Sequence, residues 1–212
     1  MWAVTHTLTI RADRLFEGWG RAWVRIGWLD ARLVAVFSLH ATKKLLDRVK
    51  VAVMPPVSDP TTFLGNWYGT GLFWRPQVAL LVNEQTLYPV MMPLAPATTL
   101  MARFPAALQQ SWEAAGVAAG FIEAEIAGMV DGQYAKTANR SVIGVMNEFS
   151  FLATGYRDHR ELTDLVALGL LLSETPCGPL YQRHVSPDRE LDAAVAAWSD
   201  AQPGRSTVNG GT

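Results

Sequence analysis

The sequence predicts an α+β domain, a small and mainly antiparallel sheet packed by helices on one face. Two observations carry this reading. Short apolar runs rich in β-branched and aromatic residues recur between residues 33 and 94, two of them set as a hairpin, and from Thr98 onward apolar residues recur at helical spacing instead.

Taken in order, LVAVFSLHA (33–41) has the composition of a buried strand, and TKKLLDRVK (42–50) follows at helical spacing with Thr42 as N-cap. Prolines make MPPVSDP (54–60) a loop, and FLGNWYGTGLFW (63–74) reads as an extended strand with one irregularity at its glycines. QVALLV (77–82), NEQT and LYPVMMPL (87–94) have the form of a hairpin with a four-residue turn, and Pro89 marks the second run as an edge strand, because proline cannot donate to a ladder. Thr98 or Thr99 caps a helix to about residue 114, with Leu100, Met101, Phe104, Leu108 and Trp112 on one side and Pro105 as a break or restart. FIEAEIAGMV (121–130) is a further helix and YAKT (134–137) a short strand. Asn139 caps a short helix whose Val142, Val145, Met146 and Phe149 form a packing stripe, opposite Arg140, Gly144 and Asn147. DHRELTDLVALGLLLSE (158–174) carries an Asp158 to Glu161 capping-box spacing before a strongly apolar run ended by TPCGPL.

The chain therefore divides into a basic, Trp-rich extension (1–33), one α+β domain (34–198) and a disordered polar tail (199–212). Residues 1–50 carry nine Lys or Arg against four Asp or Glu, and four of the eight tryptophans lie before residue 34. On a helical wheel Arg14, Arg21, Arg25 and Arg32 share one side and Leu15, Trp19, Trp23 and Ile26 another, a pattern that suits an anionic surface or nucleic acid. Against a stable helix stand Gly18, Gly20 and Gly27, each costing about 1 kcal/mol relative to Ala. A loosely ordered extension, or upstream sequence carried by an early start codon, is the stronger reading.

Globally the chain of 212 residues is half apolar with a net charge of −1, so composition marks neither nucleic-acid nor membrane binding. One cysteine, Cys177, excludes an internal disulfide and fits a cytoplasmic setting. No apolar run reaches the roughly 18 to 20 residues needed to span a bilayer. GNWYGTG (65–71) has a dinucleotide-like glycine spacing but leads into a strand rather than a helix, so no such cofactor is expected. His6, His40, His159 and His184 are scattered, and no metal site is expected. Serine-hydrolase and phosphate-loop motifs are absent, and Cys177 follows a helix, where its thiolate gains nothing from a helix N-terminus.

What survives is a set of polar residues in an apolar domain: His40, Lys43 and Lys44 at a strand-to-helix junction suited to an anion, Asn66 and Asn83, and Arg140, Asn147 and Glu148 on the outer side of the Asn139 helix. TKKLL (42–46), LGNWY (64–68), LLVNEQT (80–86) with Pro89, NRSVIGVMNEF (139–149) and ETPCGPL (174–180) together resemble a bacterial and phage domain family known only as a domain of unknown function. The resemblance covers about residues 36–190 and implies that residues 1–33 are an extension; it transfers no activity. The expectation is a binding or regulatory domain of the bacterial cytoplasm, linked to mobile-element or phage biology, with a protein or an anion as partner and no cofactor. Its rival is an enzyme acting on a phosphorylated or nucleic-acid substrate, in which Lys43, Lys44 and Arg140 hold phosphate and His40 or Glu148 serves as acid or base. A third reading is an assembly protein anchored by Trp67, Tyr68, Phe73 and Trp74.

Overall fold

The structure, a computed structural model, describes residues 37–202. Along the chain run β1 (Phe37–Ala41), α1 (Lys43–Val49), β2 (Trp67–Leu72), β3 (Val78–Asn83), β4 (Pro89–Pro93), α2 (Leu100–Ala114), α3 (Ala119–Gly128), β5 (Gly132–Lys136), α4 (Arg140–Arg160), α5 (Leu165–Ser173) and α6 (Pro187–Asp200). The strands form one mixed sheet in the order β4-β3-β2-β1-β5. β2, β3 and β4 are an antiparallel meander, while β1 lies parallel to both β2 and β5. The α+β class holds.

Helices cover both faces of this sheet rather than one. Phe37, Leu39, Trp67, Ala79 and Leu81 point into a core closed by α1, α2, α3 and α6, through residues such as Leu45, Phe104, Trp112, Phe121 and Leu191. Tyr68, Leu72, Val78, Leu80 and Val82 point the other way, into a core closed by α4 and α5 through Val142, Met146, Phe149, Leu168 and Leu172. The physical reason is visible in VALLV: an unbroken apolar run, rather than an alternating one, belongs to a strand buried on both sides. Gly69 in β2 lets α1 settle onto the first face, since a Cβ there would lie 2.9 Å from both Leu45 Cδ2 and Leu81 Cδ2.

The two edges of the sheet are closed differently. Asn83 N donates to Tyr88 O and Leu94 N to Gln77 O, so in this register Val90 and Met92 face β3 while Pro89, Met91 and Pro93 face outward. Two of those three positions have no N–H to offer, and α5 lies over the third: a Cβ on Gly169 would stand 3.5 Å from Pro89 O and 4.0 Å from Met91 N. Arg103 of α2 then gathers the carbonyls of Pro93, Leu94 and Pro96. At the opposite edge the extended segment after α1 lies along β5, with Met54 N donating to Tyr134 O at 2.8 Å and Gln133 Nε2 donating to Pro55 O.

Several elements depart from expectation. Pro105 sits inside a continuous α2. α4 runs for 21 residues and takes in Asp158, so the capping box is not used; Glu161, at φ 52°, ends α4, and Asp164 starts α5 by accepting from Val166 N and Ala167 N. α6 was not foreseen, although Ser186 followed by Pro187 is a helix-start signal. It includes Ser199 and Asp200, which the polar-tail reading had claimed, while residues 1–33 and 203–212 lie outside the described residues. Among the described residues, no helix is long and apolar enough to cross a membrane.

Candidate functional site at the ends of β1 and β5

β1 and β5 are parallel neighbours with Ala41 opposite Lys136, and the helices that follow them leave for opposite faces: α1 packs on the first core, α4 on the second. Chain and register thus bring His40, Lys43, Lys44, Lys136 and Arg140 to one end of the sheet. In α/β sheets such a switch point is where ligands bind.

His40 is the fixed element. It is 4% exposed on the second face, its ring stacked on Tyr68 with centroids 4.6 Å apart and planes 13° from parallel. Its Nδ1 lies 2.8 Å from Lys136 O. A carbonyl only accepts, so Nδ1 is the donor, and in the uncharged tautomer that this bond selects Nε2 would hold the lone pair. Nε2 has no hydrogen-bond partner among the described residues. Thr42 Oγ1 donates to Thr70 Oγ1 at 3.0 Å, and Thr42 stands at the start of α1 without a side-chain cap bond.

Tyr68 joins His40 to α4. Its hydroxyl donates to Glu84 Oε1 at 3.3 Å and accepts from Asn139 N at 3.1 Å. Asn139 Nδ2 donates to the same Glu84 oxygen, while its Oδ1 accepts from Ser141 N and Val142 N as a true N-cap. Burial raises the Tyr68 pKa, Asn139 N opposes that, and the Glu84 carboxylate adds to it, so the phenol stays protonated.

The remaining expected residues fall into two groups. Asn66 and Asn83 are structural: Asn66 Oδ1 accepts from Ser38 N at 2.8 Å. Asn83, fully buried, donates to Leu64 O and accepts from Gln85 N, Thr86 N and Thr86 Oγ1, which builds the β3–β4 turn. Lys43, Lys44, Arg140, Asn147 and Glu148 are exposed. Lys43 pairs with Asp47 one turn on. Asn147 and Glu148 stand about 10 Å or more further along α4 than Arg140, at about 1.5 Å per residue, and do not join the His40 group. Gly144 has nothing within 4 Å of its notional Cβ, so its side of the helix is open to solvent rather than holding close backbone.

Trp67 and Tyr68 are not surface anchors; both are buried, and of that aromatic group Phe73 alone is strongly exposed. Glu84, Lys136 and the Thr42–Thr70 pair were not singled out in the sequence, because their meaning depends on which strands are neighbours. No group of three or more metal-ligating side chains occurs among the described residues.

The family described as Domain of unknown function (DUF6933) matches residues 38–190, and the chain belongs to that family. No curated protein and no solved structure matches the chain.

Proposed function

We propose that this member of the DUF6933 family is a binding or regulatory domain that takes a phosphate-bearing or similar anionic ligand where β1 and β5 end. One observation carries the reading: two adjacent parallel strands release their helices to opposite faces beside an imidazole whose Nε2 no described residue engages. Lys44, Lys136 and Arg140, all exposed, supply the positive charge an anion needs there, while Lys43 is paired with Asp47. A cytoplasmic setting is supported by the one cysteine, buried and unpaired, and a bacterial origin with a link to mobile-element or phage biology by sequence resemblance alone.

The enzyme reading is favoured by one feature, the fixed tautomer of His40, which suits an acid or base acting on a phosphorylated or nucleic-acid substrate. Titration calorimetry of the full chain with inorganic pyrophosphate tests the site. Saturable binding that weakens about tenfold when Lys44 and Arg140 are both replaced by Ala is the expected result. Absence of saturable binding at low ionic strength overturns the proposal. Phosphate-ester hydrolysis that His40→Gln abolishes would instead make the domain an enzyme.

A further inference from the structure

A second site, separate in residues from the His40 group, lies where the β2–β3 connection meets the turn between α4 and α5. It is a cavity of about 140 Å³ whose lining includes Trp74, Arg75, Val78, Arg157, Leu162 and Leu168. Val78 and Leu168 are buried, Arg75 is exposed, and the others are half-buried, so an apolar floor rises to a cationic rim. Among the described residues, no carboxylate lines the cavity. We propose that this cavity binds a small aromatic monocarboxylate, ring inward and carboxylate at the arginines.

Three features select that class. The volume is close to that of an apolar cavity of about 150 Å³ known to hold benzene, so a single ring fits. The Arg157 guanidinium lies 4.4 Å from the Trp74 ring centroid, which fixes a flat wall and a positive charge together. Arg157 uses Nε and Nη2 on Asp158 Oδ1, which leaves Nη1 unused in that pair. Asp158 balances Arg157, and Arg75 has no ion-pair partner among the described residues, so it supplies the net positive charge that suits a monoanion.

The probe is phenylacetate, titrated into the full chain and followed by amide and indole ¹H–¹⁵N spectra, with phenylacetamide as its neutral isostere. Saturable shifts confined to the Trp74 indole and the Leu162–Leu168 amides are expected, with a Kd on the order of 1 mM or tighter for so small a ligand. The acid should bind about tenfold tighter than the amide, and Arg75→Gln should remove about that advantage while leaving the melting temperature unchanged. Equal binding of acid and amide overturns the proposal, as does the absence of localised, saturable shifts. The acid–amide comparison uses the unaltered protein, so it decides the matter whatever Arg75→Gln does to folding. Neither outcome bears on pyrophosphate binding at the other site.

Discussion

Glu125 is an ionisable side chain held where a charge is costly. It is 1% exposed in α3, and its carboxylate oxygens accept from Phe63 N at 2.6 Å and Leu64 N at 3.1 Å. Burial pushes its pKa up to about 7 from an ordinary 4.5, against the opposing pull of the two N–H donors. Because the folded value lies above the unfolded one, this contribution to stability is fully present below about pH 4.5 and is lost as pH rises through 7. The shift corresponds to about 3 kcal/mol. Urea unfolding midpoints should therefore fall between pH 5 and pH 8, and Glu125→Gln should flatten that dependence; an unchanged slope in the variant would refute the assignment. Cys177 is the opposite case, a group kept out of chemistry. Burial and the nearby Glu148 carboxylate push its thiol up to about 12, so it should resist alkylation at pH 8 in the native protein and react once denaturant is added. The sequence context of Cys177, after a helix rather than at the start of one, already argued against an activated thiol. Glu125 gave no such signal: within FIEAEIAGMV it reads as an ordinary helical glutamate, and its role depends on a loop some sixty residues earlier in the chain.

At the scale of elements, α4 shows what local pattern can and cannot convey. Asn139 and the stripe Val142, Val145, Met146 and Phe149 were legible as cap and buried face, because cap chemistry and the 3.6-residue period are local. The extension to Arg160 was not. Phe151 leaves the stripe and is highly exposed, Gly155 weakens the signal, and Ser150 and Thr154 satisfy their hydroxyls on carbonyls one turn back, at Met146 and Ser150. Asn139→Ala should cost about 1 to 2 kcal/mol of unfolding free energy, through the lost cap and the lost tie to Glu84. Gly69→Ala tests a different interface. The added methyl meets Leu45 and Leu81, and an overpacking cost of about 1 to 3 kcal/mol is expected in denaturant melts.

For the whole molecule, the sequence conveyed class and strand count better than layering. The hairpin, the edge position of β4 and most helices could be read from it, but the second face could not, because a short apolar run does not say whether both of its sides are covered. The candidate site was legible in part for a related reason. His40, Lys43 and Lys44 form a local junction, whereas the neighbourhood of Lys136 and the Tyr68–Glu84–Asn139 links exist only once β1 stands between β2 and β5. Both cores grip the same strands, with Leu81 and Val82 of β3 pointing into different ones, so they should be lost together. Exchange of the Trp112 indole N–H reports the first core and trapping of Cys177 the second; a single shared denaturant midpoint is expected, and two separated midpoints would show that the layers unfold independently.

The closure of the two sheet edges restricts how this protein can be recognised. A peptide that binds by extending a sheet needs a row of free N–H and C=O groups, and here β4 turns two prolines and a helix toward any newcomer while β5 is already lined by the chain's own Met54 and Pro55. Among the described residues, recognition by strand addition therefore finds no open edge, and a partner that approaches either edge meets side-chain charge and shape instead.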